Sequence, residues 1–361
     1  MQVRQTRLVD FLGEPDVQLV VPVYQRVYSW TRPQLRAFWD DVMEAGRLDR
    51  PHFMGMVFFA EERSHHAGVR QLDLIDGQQR MTTMTLLMCA VRTYLSRTGA
   101  TLDGLDADGV ARKFLKLDAG GDSEDGGEGA DEGAGDGSRD GAACKLVLSR
   151  ADAPTLRWIE GVGMRPATDE EYSKLVVEAY EWFVARMDAE GFDFATFARG
   201  IAHLYIVEVM MGPGDRRQTV FESLNAKGLP LSTPDLVRNF LLMRSEFGDK
   251  SYLYDTYWAK VEDAFSTDAD DRYLAHAIRI WTGSGAAIKD DRGIFDAFKA
   301  SFSGKDRDEL ERRTAGLAAY CIDFHEKVLA GDEATIEACR EWEEGRGKAE
   351  RLRNDRRIFG D

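Results

Sequence analysis

The chain has 361 residues, 47 Lys and Arg against 63 Asp and Glu, a net charge of −16 and four cysteines. That length allows a substantial core and two or three domains, while no apolar run approaches the roughly 20 residues that a bilayer span needs and MQVRQTRLVD has no hydrophobic signal core. A soluble, cytoplasmic chain with reduced thiols and no zinc site is expected, because Cys89, Cys144, Cys321 and Cys339 lie far apart and form no C-x-x-C pair.

At face value the acidic balance argues against a nucleic-acid partner. Half of it comes from residues 118–140, DAGGDSEDGGEGADEGAGDGSRD, where nine acidic residues face the single Arg139. Without large apolar side chains this stretch cannot offset its ordering entropy, so a disordered acidic Gly-rich insert is expected there. A solvated linker and an electrostatic mimic of DNA are the two uses open to it.

Taken in order, residues 3–13 suit either a lead-in strand or a short helix. VQLVVPVYQRVYSW, residues 17–30, has strand character, with Pro22 limiting it to an edge or a bulge. Tyr24, Gln25 and Arg26 put a stacking surface, an amide and a cation within three residues, which suits a base or a sugar-phosphate. Core packing explains the aromatic residues equally well, but not Gln25 and Arg26. A helix is expected from Thr31, with Pro33 in its first turn and Leu35, Phe38, Trp39 and Val42 on one face.

HFMGMVFFAEE, residues 52–62, is expected as a strand, in which Gly55 points to a close backbone approach. It should pair as a hairpin with the strand ending at Asp76, next to the Tyr24 strand. His65 and His66 fall in the polar turn between them. Then comes LDLIDGQQRMTTMTLL, residues 72–87: a buried strand, a break at Asp76-Gly77, and a helix running to about Thr98. A helix starting here aims unpaired backbone N–H groups and its positive dipole end at whatever lies before Gly77 to Gln79. Gly77 allows close approach, Arg80 offers a fork of donors to phosphate oxygens, and Asp76 suits a metal ion or a water. The alternative is local, with Asp76 an N-cap helped by Thr82 and Thr83.

A short helix is expected over 107–117, a strand and a helix over 145–161 with Asp152 as cap, and amphipathic helices over 168–190 and 193–202. HLYIVEVMM then has strand character, and His203 a structural role. In DRRQTVFESLNAKGLPLSTPDLVRNFLL, residues 215–242, two helices meet at a turn, and Ser232 with Asp235 resembles a capping box. Arg216, Arg217, Asn225, Lys227, Arg238 and Asn239 form a polar cluster denser than a turn requires. The remainder, 248–361, is expected to be helix-rich without a dense catalytic constellation, and RGKAERLRNDRRIF ends it as a cut at a linker would.

VPVYQRVYSW, HFMGMVFF, LDLIDGQQRMTTMTLL and FESLNAKGLPLSTPDLVRNFLL, in that order over about residues 10–245, resemble the N-terminal domain of GmrSD-type restriction systems, known for a DGQQR motif. Gly and Asp richness resembles the SspE branch, linked to phosphorothioate DNA. More remotely the pattern is similar to the ParB and sulfiredoxin fold. The resemblance implies an α+β chain: a ParB/sulfiredoxin-like mixed sheet with helices over 1–117, the insert, a helical continuation over 141–245, and a mainly α-helical region over 246–361. It implies a nucleoside-triphosphate hydrolase, GTP-preferring and using Mg2+, that governs a nuclease and senses modified DNA.

Carried onto this chain, the resemblance gives catalytic roles to Asp76, Gln79 and Arg80, with Asp76 on the metal. Nucleotide binding falls to Gly77, Gln78, Arg26, Asn225, Lys227 and Arg238, and sensing of the modification to Tyr24, Gln25 and Arg26. Expected partners are a nucleoside triphosphate, phosphorothioate DNA and a C-terminal HNH nuclease domain in cis, with a homo-oligomer allowed and no membrane. After residue 203 only His276 and His325 are present, neither beside suitable partners, so no DNA cleavage by these residues alone is expected. Two other readings stand beside this one: a metal-dependent nuclease built on Asp76, and a non-catalytic DNA- or protein-binding scaffold.

Overall fold

The structure, a computed structural model, describes residues 1–62, 68–117, 144–149, 151–167, 172–212, 214–215, 217, 220–221, 231–243, 250–265, 270–283, 290–301, 307–342 and 344. The chain divides into two compact units, Met1–Pro22 with Arg26–Asp215, and Val23–Gln25 with Arg216–Asp361. That division falls at Asp215/Arg216, inside the 141–245 segment expected to continue the first domain. The acidic insert lies outside the described residues; on either side of it Lys116 and Cys144 pair as an antiparallel bridge.

In the first unit the undecided N-terminal stretch is both of its alternatives, strand β1 (Gln2–Arg7) and then helix α1 (Leu8–Leu12). Strands β2 (Val17–Val20), β3 (His52–Glu62), β4 (Arg70–Asp76), β5 (Leu146–Val147) and β6 (Leu204–Met211) complete a six-stranded sheet in the order β1-β6-β3-β4-β2-β5. β3 and β4 form the expected antiparallel hairpin, β1 is antiparallel to β6, and the other pairings are parallel. The class is therefore α+β with a mixed sheet.

One expected strand is much shorter than its composition suggested. β2 stops at Val20, and Tyr24 and Gln25 lie in a turn with Arg26 just after it, rather than in a strand beside the hairpin. Pro22 has no N–H for a ladder. The segment after it is held by side chains instead: Asp152 accepts from the Tyr28 N–H at 2.6 Å.

Helix α2 (Arg32–Leu48) starts at Thr31, whose N–H and hydroxyl both donate to Gln34 Oε1. Its expected apolar face, Leu35, Phe38, Trp39 and Val42, is buried. Trp39 packs on Trp182 and Phe183 of helix α6 (Lys174–Met187), on Phe192, and on Phe197 of helix α7 (Phe194–His203). α2 and α7 touch backbone to backbone, since a Cβ on Gly200 would lie 1.9 Å from the Val42 carbonyl oxygen. Helix α3 (Gln78–Thr98) buries Met81, Met84, Leu87, Met88 and Val91, and also Thr82, Thr83, Thr85, Cys89 and Ala90 between them. A helix buried on every side is the centre of its domain. Helix α4 (Ala107–Val110) runs on into a π-turn, Ala111–Leu115, and helix α5 (Ala153–Glu160) follows β5.

Beyond the Val23–Gln25 turn, the second unit is mainly helical in its described residues. Thr233–Met243 is followed by a continuous run of Lys250–Leu253, a π-turn Tyr254–Trp258 and Ala259–Ala264, then by Asp270–Trp281, Asp291–Ser301 and Arg307–Leu329. The Ser232–Asp235 cap forms, with the serine hydroxyl 3.0 Å from Asp235 Oδ2 and accepting from the Asp235 N–H. Among the described residues no helix is long and apolar enough to cross a membrane.

Candidate functional site

The corner between β4 and α3 has the geometry expected of it. β4 ends at Asp76, and Gly77 turns the chain at φ 98, a left-handed conformation that suits glycine. Its Cα side is closed as well, because a Cβ there would lie 3.2 Å from the Val57 side chain. α3 follows with no side-chain cap. The first intrahelical bond runs from the Met81 N–H to the Gly77 carbonyl, so the amides of Gln78 to Arg80 lie in the first turn without helical partners.

The local alternative had Asp76 capping this end with Thr82 and Thr83 helping. Thr83 instead donates to the Gln79 carbonyl and pairs with the Tyr28 hydroxyl at 2.8 Å. Asp76 is half-buried. Burial pushes its carboxyl above the usual carboxylate range, opposed by the Arg80 charge, the Gly77 amide and the Arg26 charge. Asp76 therefore feels the charges of both Arg80 and Arg26 at the head of α3.

Arg80 is placed differently from a free phosphate fork. Its Nη1 donates to the Met54 carbonyl at 2.7 Å and its Nη2 to the Met56 carbonyl at 2.6 Å, with Asp76 Oδ2 at 3.5 Å. β4 ends opposite Phe58, so β3 has no β4 partner before that point, and the guanidinium takes the place of one. Gly55, with φ 106, makes room, since a Cβ there would lie 1.7 Å from Nη1. The close approach expected at Gly55 is thus that of a side chain.

Gln79 also faces the protein. Its Oε1 accepts from the Ser29 N–H at 2.8 Å and its Nε2 donates to the Val27 carbonyl at 3.1 Å. Gln78 is buried, and its Oε1 has no hydrogen-bond partner among the described residues.

The remaining candidates belong to the second unit. Tyr24 is 1 % exposed, its ring 6.5 Å from that of Phe221 and its side chain packed with Leu242 and Leu253, and Gln25 is 5 % exposed. The expected stacking platform is therefore a buried ring. Arg238 donates from Nε to the Tyr24 carbonyl, from Nη1 to Glu262 and from Nη2 to Asp235. All three of its nitrogens are engaged, a structural role that competes with nucleotide binding. Asn225 and Lys227 lie outside the described residues.

Among the described residues no three His, Cys, Asp or Glu side chains form a metal-holding group. Asp76 alone suits Mg2+ bound mainly through substrate phosphates and water, and does not suit an all-protein cage. Asp152 stands at the N-cap of α5 as expected, and its side chain bridges the Tyr28 N–H and the Ser173 hydroxyl rather than bonding the helix amides. Two further features carry no local sequence signal, the Gln79 clamp and a wholly buried Glu160.

No curated protein matches the chain. A family model described as GmrSD restriction endonuclease, N-terminal domain, matches residues 8–242. These residues include the uncapped corner, the Gly55–Arg80 lock and the Tyr24–Arg26 turn. The chain belongs to the GmrSD restriction endonuclease family and carries its N-terminal domain.

Proposed function

We propose that this chain is the regulatory part of an antiphage restriction enzyme, hydrolysing a nucleoside triphosphate, GTP by preference, in response to modified DNA. The observation that supports this most is the uncapped start of α3 behind Gly77, with Asp76, Arg26 and Arg80 around it. Phosphoryl transfer asks for positioning and charge neutralisation, which backbone amides, a cation and a metal-holding carboxylate supply.

In this reading the amides of Gln78 to Arg80 hold phosphate oxygens and Arg26 adds positive charge. Asp76 orients Mg2+ or the attacking water, while Gln79 and Arg80 act by holding the corner in shape. Tyr24 and Gln25 serve the sensing of a phosphorothioate through the turn that Arg238 fastens, and an HNH nuclease domain in cis receives the signal.

The test is hydrolysis of the four triphosphates with Mg2+, with and without phosphorothioate DNA. Asp76→Asn is expected to abolish turnover while leaving the melting curve in place, and a wild-type rate in that variant removes the assignment. The hydrogen bonds of Arg80 to the Met54 and Met56 carbonyls favour a second reading, a non-catalytic scaffold. Calorimetry that finds DNA binding but no nucleotide binding supports that reading instead.

A further inference from the structure

β1 is the outermost strand of the sheet, and among the described residues it pairs on one side alone, with β6. Gln2, Val3, Arg4, Gln5 and Arg7 are exposed and Thr6 is half-buried, with Val3 at 67 %. The outer backbone N–H and C=O groups of such a strand are open to solvent. An edge of this kind is a template for another strand, and natural sheets guard it with Pro, a bulge or an unmatched charge.

β1 has none of these guards. QVRQTR contains no Pro, and its register with β6 runs unbroken from Gln2 to Arg7. Both of its cations are already matched. Arg4 donates from Nε and Nη2 to Glu208, its register partner on β6, and from Nη2 also to Glu14. Arg7 donates from Nε and Nη2 to Asp10. Another strand laid along β1 therefore buries no unpaired charge. Residues 1–14 hold two Arg, one Asp and one Glu, so the side-chain charges cancel in this part of a chain whose net charge is −16. Two acidic copies repel least where each is locally neutral.

The sequence of β1 also fits itself. In an antiparallel pair about a two-fold axis, directly opposite residues share a face of the sheet, so the axis passes through one residue. Axes through Arg4 or Gln5 pair five of the six strand residues, and other axes pair fewer. An axis through Arg4 sets that residue against its own copy, a like-charge pair. An axis through Gln5 sets Gln5 against Gln5, Arg4 against Thr6 and Val3 against Arg7. No like charges meet, and the exposed valine gains the aliphatic stem of an arginine.

We propose that β1 is a homodimer interface, where a second copy of this chain pairs antiparallel about Gln5 and continues the sheet. Five residue pairs make a small interface, so the association is weak and concentration-dependent.

Sedimentation velocity of the full chain over about a hundred-fold range of concentration reads the equilibrium. Val3→Lys combined with Gln5→Lys sets three like-charge pairs across the axis. Each is expected to weaken the dimer about five-fold, and the three together about a hundred-fold. Both positions are exposed in the single chain, so the melting curve is expected to stay in place. Gln5→Cys tests the register, since Cα atoms directly opposite lie about 4.5 to 5.5 Å apart, within disulfide reach. The four native thiols are buried and do not compete. Diamide oxidation is expected to give a covalent dimer through Gln5→Cys, and much less through Leu329→Cys, a collision control at a position 73 % exposed.

A wild type that stays monomeric over the whole range overturns the proposal. So does a dimer that the double lysine variant leaves at full strength, or one that cross-links no faster through Gln5→Cys than through Leu329→Cys. Either result puts the contact on another surface.

Discussion

Replacing Glu160 with Gln should stabilise the protein at neutral pH and leave it nearly unchanged in mild acid. Glu160 ends α5 with no exposed surface, and neither carboxylate oxygen meets an N–H or O–H donor among the described residues. Burial pushes its carboxyl from 4.5 up to about 7, opposed by the Cys144 thiol and by the charges of Arg92, Lys116 and Arg157, with the Cys89 thiol also close by. The folded protein therefore takes up this proton at higher pH than the unfolded chain does. Stability from this group is greatest below about pH 4.5, falls as pH rises to about 7, and stays low above that.

At about 1.4 kcal/mol for each pH unit, the loss across that window is about 3 kcal/mol. Glutamine copies the protonated side chain and does not titrate. Urea unfolding of wild type and Glu160→Gln at intervals from pH 5 to pH 8 gives the difference directly, with all other titrations cancelling. The variant's advantage should grow with pH toward about 3 kcal/mol. A difference that stays flat over this range refutes the claim that Glu160 is buried without adequate compensation.

Gly55→Ala should act through Arg80, because the new methyl occupies the place of Nη1. Gly55→Ala and Arg80→Ala are each expected to cost about 1 kcal/mol or more by leaving the Met54 and Met56 carbonyls without their charged donor, and their double variant little beyond the larger single effect, as measured in a double-mutant cycle. Gln79→Glu keeps the acceptor for the Ser29 N–H but sets an oxygen against the Val27 carbonyl, where Nε2 now donates. A loss of about 2 kcal/mol and faster hydrogen exchange at the Ser29 amide are expected; unchanged exchange would show that the clamp does not hold this segment.

Elements whose cause is local were legible in the sequence. The start of α2 follows from Thr31, Gln34 and an apolar stripe within twelve residues, and the β4–α3 corner from an apolar run broken by Asp76-Gly77. Gly55 announced a close approach without saying what approached. Features built from distant partners were not legible. The Tyr28 amide beyond β2 finds its partner in Asp152, 124 positions away, and nothing in RWIEG marks Glu160 as buried, since most glutamates in such a setting are solvated. Tyr24 was equally suited to stacking and to packing, and only its neighbours Leu242 and Leu253 decide for burial in this structure.

The D-G-Q-Q-R motif builds the corner from the inside, with Gly77, Gln78 and Gln79 buried and Asp76 and Arg80 half-buried. Gln79 and Arg80 each substitute for a missing backbone partner, the first for residues 27–29 and the second for the β3 carbonyls beyond the end of β4. Because both side chains reach sideways into the sheet and the preceding turn, neither folds back to cap α3. Lysine could not replace Arg80 in this role, since a single ammonium on a flexible stem lacks the planar fork that spans two carbonyls. Asp76 and Gly77 precede the first-turn amides, and Gln78 has a side-chain oxygen without a hydrogen-bond partner among the described residues. The residues that make the corner rigid thus leave α3 without a side-chain cap behind the buried Gly77 to Gln79, and hydrolysis by Asp76→Asn against wild type decides whether an anion reaches those amides.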